Sequence, residues 1–258
     1  MRKLPLLRGV VLLAETLFLA VSILLYSANA SLDEEEKIST PLIWILISLS
    51  LAFTLGLFFV APLLLSHLPF LSFSSSLANN LVEGIIRIGI FLLYLWGLSF
   101  LPEAKRVFAY HGAEHKVINA HERGAPLEVE EVKKFSTSHI RCGTSFLLTI
   151  FVLAVVIFAI VGRPGGMWGS IFSRILLIPV LAALSYEVTR WSILKRRNPV
   201  MRLLLVPGMA LQAMTTREPD DSQIEVAISA LKGAIRADSQ EGQQESGEES
   251  NEASEESG

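Results

Sequence analysis

The 258 residues carry 22 Lys and Arg against 25 Asp and Glu, and 51% of them are apolar, with a mean hydropathy of +0.49. A chain of this kind is too apolar for an ordinary soluble domain, and its apolar runs near 20 residues point to membrane spans. The single cysteine, Cys142, excludes an intrachain disulfide and gives no reason to assign an oxidising compartment.

In chain order, Arg2, Lys3 and Arg8 precede an apolar stretch over residues 9–26, closed by Ser27-Ala28-Asn29-Ala30. A basic start, an apolar stretch and a small-residue end also describe a secretory signal peptide. Glu15 stands in the middle of the stretch, where an ionised carboxylate is costly unless paired, and argues for a retained segment. An acidic loop with Asp33, Glu34, Glu35 and Glu36 follows. The apolar tract over 41–73 is too long for one span, so Pro62 and Pro69 are expected to divide it, with the part up to Val60 crossing the membrane. After a Ser- and Asn-rich break, residues 81–101 form a third apolar stretch that begins with Glu83 and Arg87, one helical turn apart on one face.

Residues 104–142 then form a polar island that holds four of the five histidines and the cysteine. No proline follows Pro102 up to residue 122, so 103–122 is expected to be helical, with His111 and His115 one turn apart on one face. His111-x-x-Glu114-His115 fits the H-x-x-E-H pattern, in which two histidines hold zinc and the glutamate takes a proton from metal-bound water. His139-x-x-Cys142 adds a second pair of residue types that borderline metals favour. Two histidines on an exposed helix are often only solvated; the second pair in the same segment tips the reading toward a metal site.

Beyond the island, residues 144–161 form the cleanest span. The turn-rich Gly162-Arg163-Pro164-Gly165-Gly166 separates it from a further span over 171–186. Glu187 and Arg190 read as a surface pair, with a carboxylate ligand to the metal as the alternative role of Glu187, and Lys195, Arg196, Arg197 and Arg202 mark a span end that contacts acidic lipid headgroups. Residues 203–214, interrupted by Pro207 and Gly208, are too short to span and suit an interfacial segment. Pro219, Asp220 and Asp221 suit a first helical turn. Ile224, Ile228, Leu231 and Ile235 then line one face of an amphipathic helix that docks on the polar island or on another subunit, which leaves a homo-oligomer open. The tail 238–258 has eight acidic residues, no basic ones and no apolar side chain larger than alanine, so it is expected to be disordered. Without the tail, 17 acidic residues face 22 basic ones. The positive charge lies at span ends, not in a stripe interleaved with aromatics, so it fits anionic lipid and no nucleic acid.

Several strings resemble the YqhQ-like bacterial membrane proteins. They are Tyr110-His111-Gly112-Ala113-Glu114-His115-Lys116, Lys133-Lys134-Phe135-Ser136-Thr137, Arg141-Cys142-Gly143-Thr144-Ser145-Phe146 and Thr215-Thr216-Arg217-Glu218-Pro219-Asp220-Asp221. The resemblance covers about residues 4–237. It implies a membrane protein of unknown function bearing the label of a metal-dependent enzyme. The family pattern also has a Gly- and Met-rich polar segment ahead of the first apolar stretch, which this sequence does not display.

The expected fold is all-α: a polytopic helical membrane protein with a cytoplasmic helical metal-binding insertion and a C-terminal amphipathic helix. Its parts are N-terminal membrane segments (1–101), the polar metal-site segment (102–142), two membrane helices (143–190), an interfacial segment with the amphipathic helix (191–237) and the acidic tail (238–258). The expected location is the inner or plasma membrane, multi-pass. Lys105, Arg106, Lys116, Arg123, Lys133, Lys134 and Arg141 put the island on the cytoplasmic side. A cytoplasmic amino terminus then requires an even number of crossings before the island, so the first or the third stretch is expected to enter the membrane only partly. The expected function is a metal-dependent hydrolase using metal-bound water, with Zn2+ as the favoured divalent ion. His111, His115, His139 and Cys142 are its candidate ligands and Glu114 its candidate base. The alternative is a membrane scaffold or assembly factor with a closed, structural metal site that recruits a protein partner. A transporter with Glu15, Glu83 and Arg87 lining a path ranks third. The sequence names no substrate.

Overall fold

The computed structural model describes residues 5–30, 39–195 and 198–255. The acidic residues 33–36, Arg2, Lys3, Arg196 and Arg197 lie outside them. The described residues form helices α1 (Pro5–Ala30), α2 (Thr40–Leu55), α3 (Ala61–Leu65), α4 (Ser76–Leu98), α5 (Pro102–Glu122), α6 (Val129–Val132), α7 (Gly143–Val161), α8 (Gly166–Leu176), α9 (Ile178–Leu194), α10 (Pro199–Thr215) and α11 (Asp221–Glu255). There is no strand among them, as the sequence predicts. The chain divides into two compact units: Met1–Gly97 with Arg141–Leu211, and Leu98–Ile140 with Gln212–Gly258.

The first unit holds the apolar helices. Among the described residues three are long and apolar enough to cross a membrane: Pro41–Leu65, Ser76–Leu98 and Gly143–Val161. The pair Gly166–Leu176 and Ile178–Leu194, bent by 42°, makes a fourth if it is one span. The first stretch contributes only a shorter apolar helix, Ala14–Ser27. Of the first and third stretches, it is thus the one whose length suits only partial entry.

The expected division of the second tract at Pro62 does not occur. The helix continues to Leu65 through a π-helical turn, Gly56–Val60, and the reason lies in the backbone donor that proline lacks. The Phe58 carbonyl, four residues before Pro62, has no ordinary helical partner. Arg87 Nε donates to it at 2.9 Å. Pro207 likewise sits inside α10 without breaking it, and Gly208 lies so close to Ser145 that an added Cβ would come within 2.6 Å of its Cβ. The expected uninterrupted span over 171–186 is instead broken near Leu177, where Pro179 opens α9.

Glu83 and Arg87 share a face as predicted, and both are fully buried, 2.7 Å apart. Arg174 completes the cluster, 3.0 Å from Glu83 Oε2. The guanidinium groups of Arg87 and Arg174 lie 4.8 and 4.7 Å from the Phe158 ring centroid. Above the cluster, Phe91 packs on Phe151 with centroids 4.7 Å apart. Glu15 is exposed on α1, so the polar residues of the transporter reading do not share one buried face.

The second unit is built on α5. Pro102 opens this helix, where its missing N–H costs nothing. At the other end, Ala125 N–H donates to Ala120 O and Gly124 N–H to His121 O, both at 3.0 Å, with Gly124 at φ +68°. This is a Schellman ending, and it needs the left-handed conformation that glycine adopts cheaply.

Helix α11 starts at Asp221, so of the three residues expected in its first turn Pro219 and Asp220 precede it. Asp220 is its cap: Oδ1 accepts from Gln223 N–H at 2.9 Å, and Gln223 Oε1 accepts from Asp220 N–H at 3.0 Å. This reciprocal capping box satisfies two otherwise orphaned donors. Ile224 and Ile228 then close a core with Ala113, Val117 and Ala120 of α5 and Val132 of α6, and Leu231 packs at its edge. The amphipathic helix therefore docks on the island, one of the two expected partners. Ile235 remains 38% exposed and lies beyond that core. The backbone of α11 continues helically to Glu255, past residue 238, where the sequence predicts order to end. Residues 232–240 are exposed, so local propensity and not packing holds that part helical.

Candidate metal centre

His111 and His115 lie side by side on α5 with ring centroids 4.4 Å apart, as i, i+4 spacing dictates. Each ring is fixed by a backbone carbonyl. His111 Nδ1 is 2.8 Å from Thr215 O and His115 Nδ1 is 2.6 Å from Thr137 O. A carbonyl only accepts, so each Nδ1 carries the proton and each Nε2 presents a lone pair. Histidine ligands of metals are oriented by the same arrangement.

The supporting carbonyls come from the irregular chain after α6 and from Thr215, the last residue of α10, where the chain leaves that helix toward α11. The piece after α6 is held by Lys116, whose Nζ donates to Lys133 O at 2.8 Å. Asn119 also holds it, with Nδ2 donating to Ser136 O and Ser138 O at 2.9 and 3.1 Å. Those bonds flank Thr137 and aim its carbonyl at His115. The piece before α11 is held by Arg217 N–H, which donates to Phe108 O at 2.9 Å, and by Glu218, 2.6 Å from Lys116 Nζ. At Gly112 an added Cβ would collide with the Arg217 carbonyl. The glycine between the motif's first histidine and its alanine is therefore what admits this strap.

His139 joins the same unit, with its ring centroid 5.9 Å from that of His115 and its residue 7% exposed. Gln212 brackets its backbone: His139 N–H donates to Oε1 and Nε2 donates to His139 O, both at 2.8 Å. Its Nε2 stands 3.5 Å from Glu122 Oε2. Glu114 points outward, its side chain 58% exposed, with Oε2 3.6 Å from His115 Nε2. Cys142 belongs to the first unit, where it is buried and caps α7, its Sγ 3.5 Å from Thr144 N and 3.1 Å from Thr144 Oγ1.

Sequence patterns do not mark Thr137, Thr215, Asn119 or Gln212: the first two act through their own carbonyls and the other two bind backbone groups, and no side-chain pattern reveals either. Their one signal was position: Thr137 and Thr215 lie inside strings that resemble the family.

Among the described residues, the helices place this chain in the class of all-α proteins with apolar segments long enough to span a membrane. It belongs to the family described as protein of unknown function DUF1385, whose model matches residues 4–237. An uncharacterized protein, YqhQ of Bacillus subtilis (strain 168), is 34% identical over 252 residues, spanning 92% of this chain and 79% of that protein. No solved structure matches.

Proposed function

We propose that this protein is a multi-pass membrane hydrolase of the metal-dependent class, with its centre on the polar unit facing the cytoplasm. The observation that carries this reading is the pair of Nδ1–carbonyl bonds, which turns two neighbouring imidazoles into oriented donors of Nε2 lone pairs. The donor chemistry fits a borderline divalent ion such as Zn2+. His111 and His115 would hold it. His139 is the third ligand in this reading, and Cys142, three residues further along the chain and so within roughly 11 Å of it, Cα to Cα, is the fourth candidate. A divalent cation at such a site supplies Lewis acidity and lowers the pKa of water. Glu114, carried next to His115 on the same helix and open to solvent, accepts a proton from the attacking water.

The buried state of His115, His139 and Cys142 favours a second reading, a scaffold with a closed structural site. Metal content of the purified protein, together with ligand counting by X-ray absorption, separates the two. Three protein ligands and an open position support the hydrolase, and four support the scaffold. Protein that takes up no zinc after purification without chelators ends both.

A further inference from the structure

We propose that the hollow between the start of α7 and the end of α9 is a binding site for one anionic membrane phospholipid. The hollow lies wholly within the first unit and encloses about 450 Å3, within the range of small-molecule sites. Its two halves differ in chemistry. The charged side chains lining it are both arginines, Arg141 and Arg190, while Phe146, Ile193 and Leu194 supply an apolar wall. The amino-terminal end of α7 opens into the same space, since Cys142 and Gly143 also line it. The partial positive charge there adds to that of the guanidinium groups. Guanidinium pairs and helix starts both select phosphate, and an apolar wall beside them selects a phosphate that carries a hydrocarbon chain.

Thr189 gives an independent sign that the space takes a ligand with polar atoms. Its Oγ1 is buried and has no hydrogen-bond partner among the described residues, and the residue lines this hollow as well as a neighbouring apolar one of about 410 Å3. A buried hydroxyl left unpartnered is costly, and a glycerol or ester oxygen of a seated lipid would satisfy it. Plain annular lipid would not explain two arginines and an unpartnered hydroxyl at one hollow.

The test uses the full chain, delipidated in a zwitterionic detergent and titrated with phosphatidylglycerol, with bound lipids counted by native mass spectrometry. One phosphatidylglycerol should bind at least tenfold more tightly than phosphatidylcholine. The double variant Arg141→Gln/Arg190→Gln should lose about tenfold or more in affinity. Ile193→Trp, which fills the apolar half, should lose binding with its helical circular dichroism unchanged. Lys134→Gln is the charge control, because that side chain pairs with Glu131 at 2.6 Å and does not line the hollow; it should bind as the wild type does. If the double variant does not fold, Arg190→Gln and Ile193→Trp carry the same comparison. Wild-type affinity in these variants, an equal loss in Lys134→Gln, or displacement of the lipid by an equal concentration of inorganic phosphate would each overturn the proposal.

Discussion

The Thr137 carbonyl and His115 Nδ1 lie 2.6 Å apart, and this contact fixes which nitrogen of His115 faces away from the chain. Asn119 holds the carbonyl in place by binding the peptide on either side of it. Losing His115 or His111 to Ala should abolish zinc binding, read by isothermal titration. Asn119→Ala should weaken it by about tenfold, the lower end for an outer-shell partner, and leave the melting temperature within a few degrees. Unchanged zinc affinity in His115→Ala would sink the site.

Glu114→Gln separates base from ligand. The amide keeps size and hydrogen bonding but cannot take a proton, so zinc should remain bound while any hydrolytic turnover falls by about 100-fold or more. Zinc lost along with activity would recast Glu114 as a ligand.

Gly112→Ala tests the strap across α5. The new methyl group meets the Arg217 carbonyl, a backbone atom that cannot step aside as a flexible side chain would. We expect a loss of about 2–3 kcal/mol, seen as a lower melting temperature, and weaker zinc binding because Thr215, which supports His111, moves with the strap. A variant as stable as the wild type would show that the strap yields freely.

Ile228→Asp should destabilise the second unit by about 3–5 kcal/mol, since it puts a charge into the core shared with Val117 and Val132. Truncation after Ala237 should leave expression and melting temperature nearly unchanged, because residues 238–240 are exposed and the rest offers no apolar side chain larger than alanine. The two variants together locate where α11 stops contributing.

The cap of α11 sets an acid limit. Hydrogen bonds from Ser222 and from the Gln223 backbone hold the Asp220 carboxyl below its ordinary 3.8. A depressed pKa stabilises the folded state above the unfolded value, and the contribution is lost as pH falls through 3.8 toward the folded value. Lys133 runs the other way: bonds to Asp221 and Glu130 raise it above 10.5, so its contribution is complete below 10.5 and fades as pH rises past it. Asp220→Asn, which can still cap, should flatten the acid limb of a melting-temperature profile; an unchanged limb would assign acid lability elsewhere.

How much of this was legible in the sequence depended on periodicity. The i, i+4 pairs His111/His115 and Glu83/Arg87, and the stripe from Ile224 to Leu231, fall where helical geometry puts them. Proline misled twice, at Pro62 and Pro207, because a lost backbone donor breaks a helix only when nothing replaces it or the neighbours cannot accommodate it; Arg87 Nε replaces it for Phe58. Arg174 as a second partner of Glu83, 91 residues away, and the carbonyls behind the histidines were not legible, since neither long-range pairing nor backbone direction leaves a local residue pattern.

The core of the second unit is closed by Ile224 and Ile228, yet α5 is made before α7, α8, α9 and α10. On a translating ribosome the His111–His139 stretch therefore waits roughly several seconds with Ala113, Val117 and Val132 uncovered while the later apolar helices emerge. Both carbonyl-bearing straps are complete only after Thr215 has left the exit tunnel. The hydrogen bonds that orient the two rings cannot both form until those helices have been made, so the setting of His111 and His115 is timed by the near-completion of the chain and comes late in folding.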